Sequence, residues 1–242
     1  MKEHLNHKLE EPPDDPGEDE MWLKWEANQD VVYDDITYGD NSLVSYVNKT
    51  GHRLLERPFG HSIHFSRVLE VGAGSGMHLD FVRHRFDEYH ITDVNDKLLV
   101  LAHKRHADRR GLVFSNCSAL DLDYPDESFD RVISVYTLEH LATPHLALKE
   151  WRRVLKPGGM LSISIPTEGG IAWNLGRFLT TRRSFRKIGL DLDYIIAREH
   201  VNACYRLVAF IRHYFPSRRE TWFPFYLPVS HINLIFATTI QK

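Results

Sequence analysis

Cysteine is scarce in this chain of 242 residues, which contains only Cys117 and Cys204. The first stands where a strand is expected to end and the second lies in a predicted helix. Their spacing matches neither a disulfide framework nor a thiolate zinc site. This scarcity excludes the small disulfide-stapled folds and is typical of a reducing cytosol. We therefore expect a cytoplasmic protein.

Long apolar runs are also missing. No stretch of about 18 apolar residues is present, and the first residues are polar, so the sequence predicts neither a membrane span nor a signal peptide. The charges nearly balance, with a formal net charge of −3. This balance gives no overall electrostatic case for nucleic-acid binding, which usually needs a basic face or stripe, and it leaves local basic patches open. We expect a soluble protein with no nucleic-acid partner and no integral membrane association, and the sequence leaves the oligomeric state open.

The first twenty residues have little to bury, because charged residues and proline dominate them (MKEHLNHKLEEPPDDPGEDE). Such a composition predicts a disordered acidic tail over residues 1–20. From Met21 the composition changes, and residues 21–242 suit a single α/β domain. Its expected parts are an N-terminal cap over 21–66, a ligand-binding core over 67–166, an insertion over 167–201, and a C-terminal helix and hairpin over 202–242.

Three glycines at alternate positions, Gly72, Gly74 and Gly76, follow a short apolar strand that begins at Val68. Glycine adopts backbone angles that are closed to other residues and lets a ligand approach the main chain closely. The next residues, 77–85, predict a helix whose free N-terminal amides favour an anionic group. Strand, turn and helix together predict the first βα unit of a Rossmann-like sheet, in which ligands bind beyond the carboxyl ends of the strands.

A second predicted strand, Tyr89–Thr92, ends at Asp93, which lies 21 residues after Gly72. An acidic side chain at the end of the second strand is placed to bind a ribose. Both NAD and S-adenosylmethionine carry that ribose. The turn reads Gly-x-Gly-x-Gly, whereas the dinucleotide fingerprint is Gly-x-Gly-x-x-Gly, so the spacing disfavours NAD.

These features resemble the class I S-adenosylmethionine-dependent methyltransferases, and more closely the small-molecule, methyltransferase type 11-like members. Glu70–Gly76 is similar to their first motif, and Asp93 stands where their ribose-binding acid falls. Asp-Glu-Ser-Phe-Asp before the predicted fourth strand and Leu-Lys-Pro-Gly-Gly before the fifth agree with the same family. The resemblance spans about residues 68–166, which is the cofactor half of the chain.

The resemblance implies an α/β fold with a Rossmann-like, seven-stranded, mostly parallel sheet. It also implies an antiparallel C-terminal edge, helices on both faces, and a helical lid insertion after the fifth strand. After the first two strands, we expect strands over 112–115, 131–136, 160–165, 221–227 and 232–240. We expect helices over 95–109, 144–155 and 203–214, the last of them capped by Asn202.

The cofactor implied by the resemblance is S-adenosyl-L-methionine. Ser118 stands where many family members carry an aspartate that bonds the adenine, so the charge-assisted part of that hydrogen bond would be missing. The implied cofactor-binding residues are Glu70, Gly72, Ala73, Gly74, Gly76, Asp93, Val94, Ser118, Ala119, Leu120 and Tyr136.

The segment 167–201 is longer than an ordinary connection between a strand and a helix, so we expect it to cover the site as a lid. Three interpretations of its charges stay open. The lid attracts an anionic small-molecule acceptor, it is a solvated amphipathic helix, or it makes transient contact with anionic membrane lipid. The basic residues concerned are Arg177, Arg182, Arg183, Arg186 and Lys187.

Methyl transfer from a sulfonium requires an aligned acceptor and the exclusion of water more than it requires catalytic side chains. A hydroxyl acceptor benefits from a general base. His140 is the first candidate because the ordinary pKa of histidine is near neutrality. Glu139 and His200 are further candidates. Tyr33 and Tyr38 of the cap are candidates for facing the pocket.

Two histidine patterns bear on metal binding. His103 and His106 lie three residues apart on a charge-rich helix, which is more typical of a solvated surface than of a metal site. Glu139 and His140 resemble the pair found in ubiquinone-type O-methyltransferases, where a divalent metal assists. No third and fourth ligands are evident in the sequence, so we predict no metal site.

The sequence therefore predicts an enzyme, an S-adenosylmethionine-dependent methyltransferase. The expected acceptor is a small molecule of the sugar or secondary-metabolite type, and the expected acceptor atom is a hydroxyl oxygen. Two alternatives stay open. One is a non-catalytic binding or scaffold subunit with the same fold. The other is an NAD-dependent oxidoreductase, which the glycine spacing and the lack of a Tyr-x-x-x-Lys pair both disfavour.

Overall fold

The computed structural model describes residues 16–29, 38–39 and 42–242, with the backbone alone over 16–20. Tyr33 and residues 1–15 lie outside this description. Helix α1 (Pro16–Ala27) begins inside the segment 1–20 that was predicted to be a disordered tail, so residues 16–20 of that segment are helical. Proline suits the first position of a helix, because the amide hydrogen that it lacks would have no partner there.

Seven strands form one sheet in the order β3-β2-β1-β4-β5-β7-β6. The first five strands pair in parallel. This arrangement confirms the Rossmann-like fold with its mostly parallel sheet. The strands are β1 (His64–Val71), β2 (Arg85–Asp93), β3 (Leu112–Asn116), β4 (Phe129–Val135), β5 (Leu155–Pro166), β6 (Arg218–Phe223) and β7 (Ile235–Gln241).

The C-terminal edge is antiparallel, as predicted, because β7 pairs antiparallel with β5 and β6 pairs antiparallel with β7. The predicted strands 221–227 and 232–240 ran too far into the loop that joins them. Pro224 and Pro228 have no amide hydrogen to donate to a ladder. The buried amide of Asn233 instead donates to the carbonyl oxygens of Leu227 and Val229, each at 2.8 Å, and holds the segment as a loop.

Four further helices flank the sheet, and they are α2 (Leu43–Glu56), α3 (Asp96–Arg105), α4 (Pro144–Val154) and α8 (Cys204–Tyr214). Side chains alternate between the two faces of each strand. Leu69 points into the core shared with α4 and α8, whereas Val68 points into the core shared with α2 and α3. Helices therefore cover both faces, as predicted.

The helix predicted over 77–85 is not formed. A single 3-10 turn at Met77–Asp80 follows the glycines, and β2 already begins at Arg85. His78 and Leu79 are completely buried, and the pairing of β1 with β2 starts as early as His64 with Arg85. The sheet and the core take up the residues that a longer helix would need.

Asn202 does not cap helix α8 as predicted, because Ala203 occupies the cap position. The side-chain amide of Asn202 donates instead to the carbonyl oxygen of Leu141 at 2.6 Å. Its backbone amide donates to the carbonyl oxygen of Glu139 at 3.2 Å. The residue therefore ties the start of α8 to the segment that follows β4.

The insertion after β5 is helical and contains α5 (Ile171–Leu179), α6 (Thr181–Lys187) and α7 (Leu192–Glu199). It shares a small core with α1, in which Trp25 packs with Phe185, Leu192 and Ile195. No helix in the described part of the chain has both the length and the apolar character needed to cross a bilayer.

Candidate active site

A cavity of about 500 Å³ opens beyond the carboxyl ends of the parallel strands. In the sheet order β1 and β4 are neighbours, and the chain runs outward from them in opposite directions. Such a switch point is where open α/β sheets bind their ligands. The cap, the glycine turn and the lid complete the walls. Leu234, directly before β7, adds a lining residue from the C-terminal part, so every predicted part of the domain contributes.

The three glycines of the turn have φ angles of 67°, 54° and 73° in chain order. A Cβ atom on Gly72 would lie 2.4 Å from the Thr137 side chain, whereas one on Gly74 would meet no atom within 4 Å. Gly74 therefore presents bare backbone to the cavity. Gly76 does not line the cavity, because it faces Ala102 and His106 inside the protein.

Asp93 secures the turn from the end of β2. Its carboxylate oxygens accept hydrogen bonds from the backbone amides of Gly74 and Asn95, each at 2.8 Å. Burial raises the pKa of the Asp93 carboxyl group above its usual range, although these two amides oppose the shift. The two oxygens of a carboxylate offer about four acceptor sites, so Asp93 is able to accept a further hydrogen bond from a ligand.

Glu70 lies at the floor of the cavity and is 2% exposed. Its carboxylate accepts a hydrogen bond from the Tyr89 hydroxyl at 2.8 Å. Burial raises the pKa of Glu70 to about 6. The predicted neighbours Ala73 and Val94 also line the cavity.

The side of the cavity after β3 departs from the prediction in one residue. Ser118 and Ala119 line the cavity, but Leu120 does not. The hydroxyl oxygen of Ser118 accepts a hydrogen bond from the Leu120 amide at 3.2 Å, which turns Leu120 back along the chain. The carbonyl oxygen of Ala119 accepts from Trp151 at 3.0 Å and is directed into the protein.

Tyr136 lines the cavity just after β4, where its φ is 57°. Its hydroxyl donates to the carbonyl oxygen of Asn48 at 3.0 Å, and burial raises the pKa of this phenol above its usual range. Helix α2 approaches so closely that a Cβ atom on Gly51 would lie 2.1 Å from the Tyr136 oxygen. Tyr136 is therefore a fixed wall residue.

The predicted base candidates meet at the other end of the cavity. The rings of His140 and His200 lie with their centroids 4.5 Å apart and nearly perpendicular. Nδ1 of His200 is hydrogen-bonded to a carboxylate oxygen of Glu168, and the other oxygen of Glu168 pairs with Arg177 at 2.6 Å. We call the pair His200 and Glu168 the dyad.

The two histidines differ in their proton affinity. Burial, with help from the neighbouring His200, lowers the pKa of His140 to about 3. Burial also acts to lower the pKa of His200, but the hydrogen bond and the charge of Glu168 outweigh it, so the pKa of His200 is raised. Burial therefore argues against the proton-accepting role for which His140 was the first candidate, because that ring has no carboxylate hydrogen bond among the described residues to offset its burial.

Two buried carboxyl groups complete this end of the cavity. Glu139 is 1% exposed, its Oε2 atom has no hydrogen-bond partner within the described residues, and burial raises its pKa to about 7. Glu199 accepts a hydrogen bond from the Trp25 indole at 2.6 Å, and burial raises its pKa too. The ligating atoms of His140, Glu199 and His200 all lie within 4.8 Å of one another.

Sequence reasoning did not identify Glu168 or Trp25 as site residues. Glu168 follows the end of β5, which is the same edge of the sheet that supplies the predicted residues, so its position was an available signal. Trp25 reaches the cavity only because α1 packs on the lid, which no local motif indicates. Tyr38 does line the cavity, as predicted, and its hydroxyl lies 2.9 Å from Nε2 of His52.

The basic residues of the lid are divided by the fold. Arg177 of α5 lines the cavity, where Glu168 neutralises it. The other four basic residues lie on α6 and do not line the cavity. Arg182 pairs with Asp193. The acceptor end of the cavity is thus richer in carboxyl groups than in cations, which weakens the interpretation that the lid attracts an anionic acceptor.

His103 and His106 do not act together. Nε2 of His106 lies 2.8 Å from the carbonyl oxygen of Gly76 and supports the glycine turn from inside. The His103 ring packs on Phe114 with centroids 5.0 Å apart. These contacts give each ring a separate structural role.

Residues 69–163 match the family described as Methyltransferase domain. The chain is 36% identical over 102 residues to a ubiquinone/menaquinone biosynthesis C-methyltransferase from Bordetella avium, and the match covers 40% of each chain. It is 33% identical over 101 residues to a phosphatidylethanolamine N-methyltransferase from Cereibacter sphaeroides, over 40% of this chain and 49% of the relative. The matched segment thus spans less than half of these relatives.

Among solved structures, the N-methyltransferase NodS from Bradyrhizobium japonicum, in complex with S-adenosyl-L-homocysteine, superposes with a TM-score of 0.59. The superposition covers 90% of this chain and 98% of NodS, at 14% sequence identity. At that identity the likeness concerns the fold. The family that the segment matches and the protein that superposes on the fold are both methyltransferases.

Proposed function

We propose that this chain, which carries a class I S-adenosylmethionine-dependent methyltransferase domain, transfers the methyl group of that cofactor to a hydroxyl group of a small molecule. One observation carries the proposal. The same cavity joins the glycine turn and Asp93 at one end to His200 of the dyad at the other. A cofactor end and a proton-accepting end are the two parts that such a reaction needs.

The cofactor end suits the nucleoside part of S-adenosylmethionine. Asp93 has lone pairs left for ribose hydroxyls, and the bare backbone of Gly74 allows close approach. Ser118 supplies a hydroxyl in place of a carboxylate on the adenine side. When bound, the cofactor supplies an electrophilic sulfonium methyl group. The chain contributes the orientation of the acceptor and the exclusion of water.

The acceptor end is walled by apolar side chains from the cap and the lid. These residues bury the acceptor and exclude water, while the carboxyl groups and histidines fix its polar group. They are Trp25, Leu43, Val47, Trp173, Phe185, Leu192 and Ile195. The scarcity of unpaired cations among the lining residues favours a neutral or cationic acceptor.

The dyad supports the role of general base for His200. A histidine that donates Nδ1–H to a carboxylate keeps its Nε2 lone pair to accept a proton, and the carboxylate stabilises the imidazolium that results. Glu168 is therefore a positioning residue. His140, with a pKa of about 3, accepts a proton poorly and is better suited to hydrogen bonding within the cluster.

The choice of a hydroxyl acceptor rests on the dyad and not on the relatives. The relatives with matching segments are a C-methyltransferase and an N-methyltransferase. The dyad favours an acceptor that loses a proton, and a hydroxyl is the simplest such group. The compact set of His140, Glu199 and His200 supports a second route, in which a divalent cation lowers the pKa of the hydroxyl. A chelator would abolish turnover by that route only.

Calorimetric titration of the full chain with S-adenosylhomocysteine, with NAD⁺ and NADH as controls, tests the cofactor. We expect micromolar binding of the first ligand alone. A panel of phenols, sugars and amines, assayed with labelled S-adenosylmethionine with and without chelator, then tests the acceptor. Binding without transfer to any member, together with a partner that co-purifies, would favour the scaffold alternative. Preferred binding of NAD⁺ would favour the oxidoreductase.

A further inference from the structure

Helix α5 of the lid has two different faces. Its inner face lines the cavity through Trp173, Gly176, Arg177 and Thr180. The opposite face, which we call the outer lid face, consists of Ile171, Leu175, Phe178 and Leu179 at helical spacing, and these side chains are 70%, 54%, 58% and 51% exposed. A row of large exposed apolar side chains on one helix face marks a contact surface.

The outer lid face continues into a second exposed apolar segment. The amide of Ala172 donates to the carbonyl oxygen of His231 at 2.9 Å, which joins the start of α5 to the loop between β6 and β7. In this loop Phe225, Tyr226 and Leu227 are all more than half exposed. The loop that contacts the start of α5 therefore carries exposed apolar side chains of its own.

Positive charge borders this surface. Residues 171–190 contain five basic residues and no acidic ones, in a chain whose net charge is −3. Arg183, Arg186 and Lys187 of α6 are exposed. The guanidinium group of Arg182 lies 5.6 Å from the centre of the Phe178 ring, so α6 adjoins the outer lid face directly.

We propose that the outer lid face binds the surface of an anionic lipid bilayer, with its apolar side chains in the headgroup region and the basic residues of α6 on lipid phosphates. Apolar burial and attraction to anionic lipid are the two contributions that hold interfacial helices. A second copy of the chain is a poorer occupant, because two basic α6 helices would repel each other across a two-fold interface.

Co-sedimentation of the full chain with vesicles tests this inference. Vesicles of phosphatidylcholine alone are compared with vesicles that also contain phosphatidylglycerol, at low and high salt. We expect binding to the anionic vesicles that weakens as salt rises. Equal binding to both kinds of vesicle, or to neither, would overturn the proposal.

Two sets of variants identify the surface. Phe178→Ser with Leu179→Ser should lower the affinity for anionic vesicles at least tenfold, while the matched pair Val100→Ser with Leu146→Ser, exposed on other helices, should not. Arg186→Glu and Lys187→Glu should each lower it by roughly fivefold or more, and Lys104→Glu on α3 should not. Unchanged binding in the lid variants would place any membrane contact elsewhere and refute the assignment.

The measurement needs no cofactor and no acceptor, so it does not depend on the proposed methyl transfer. Titration of the same variants with S-adenosylhomocysteine reports whether the cavity is intact. If the Phe178 and Leu179 variant removes a concentration-dependent dimer while no vesicle binding occurs, the surface serves self-association and the proposal fails.

Discussion

His140 and His200 are neighbours, yet burial affects them differently. The hydrogen bond to Glu168 offsets the burial of His200, whereas the hydrogen-bond partner of His140 among the described residues is the neutral backbone carbonyl group of Glu199. The hydrogen bond and the charge of Glu168 therefore favour the protonated form of His200, whereas burial keeps His140 neutral. Groups whose environments push their pKa values apart in this way are typical of acid–base sites.

Replacing His200 by Asn should lower kcat by about 10² to 10⁴, the usual contribution of a general base. The asparagine keeps a hydrogen-bonding group near Glu168 but cannot accept the proton. Affinity for S-adenosylhomocysteine should stay within a factor of two. Initial-rate kinetics and calorimetry give the two values.

The matched variant His213→Asn, at an exposed position on α8, should leave kcat unchanged. In the unmodified chain kcat/KM should fall as pH drops through the raised pKa of His200, since protonation removes the base. Activity above half of the original in His200→Asn would exclude His200 as the base.

The buried carboxyl group of Glu139 leads to a prediction about how stability depends on pH. Its folded pKa of about 7 lies above its unfolded value, so the folded chain is destabilised progressively as pH rises from about 4.5 through 7. Glu139→Gln, which mimics the neutral acid, should raise the free energy of unfolding at pH 8 by up to roughly 3 kcal/mol and change it little at pH 5. Urea unfolding at the two pH values measures the difference.

The exposed control Asp108→Asn should show no such dependence on pH. A Glu139→Gln variant that is less stable at pH 8 than the original chain would mean that the carboxylate is paired when folded.

At the same scale, sequence identified His140, Glu139 and His200, because their positions follow strands or end the insertion. It placed His140 first, whereas the folded structure favours His200 as the base, since pKa depends on burial and on Glu168, a partner 32 residues away from His200. Residue type and position were predictable. The environment of each residue required the folded chain.

At the scale of the element, each of the three glycines in the glycine turn is required for a different structural reason. Gly72 avoids Thr137, Gly76 avoids Ala102 and His106, and Gly74 leaves space for a ligand. All three have positive φ, which side chains tolerate at a cost of about 1–2 kcal/mol. Only the substitution at Gly74 separates binding from packing.

Gly74→Ala should keep the fold and lose at least tenfold in affinity for S-adenosylhomocysteine, because the methyl group enters the space that the ligand uses. Gly158→Ala is a matched control, since Gly158 has a φ of 76° and also has nothing within 4 Å of its Cβ position. That control should lose a similar amount of stability, by thermal unfolding, and no affinity. Equal affinities in the two variants would contradict the assigned role of Gly74.

Strands were predicted well at this scale, since buried β-rich runs and the motifs between them have a clear period. The helix after the turn was predicted wrongly. Its periodic residues, His78 and Leu79, are buried by tertiary contacts, and Nε2 of His78 lies 3.0 Å from the Glu56 carboxylate. A short run of apolar residues fits both an amphipathic helix and a buried turn. The sequence of that run alone does not distinguish the two, because the choice depends on how the rest of the sheet packs on it.

For the whole molecule, the cavity lies between three parts that are distant in sequence: cap, core and lid. A ligand that fills it stabilises all three together. At a concentration one hundred times its dissociation constant, S-adenosylhomocysteine should add about 2.7 kcal/mol to the free energy of unfolding. For a chain of this size that corresponds to roughly 5–10 °C in Tm. Differential scanning calorimetry measures the shift, and NAD⁺ should give none.

A shift with NAD⁺ as large as that with S-adenosylhomocysteine would contradict the cofactor assignment. The division into cap, core and lid followed from composition and length. The packing of α1 on the lid did not follow from them, because Trp25 and Phe185 are distant in sequence and come into contact only in the folded chain.

The hydrogen bond between the Trp25 indole and Glu199 links α1 to α7 of the lid. Lys24 adds a second link through the carbonyl oxygen of Gly189 at 3.3 Å. Any outward swing of α7 must therefore either carry α1 with it or expose the shared core to water. If reactants exchange by such a swing, we expect both chain segments to open together. Glu199, the carboxyl group that joins them, also belongs to the compact set with His140 and His200.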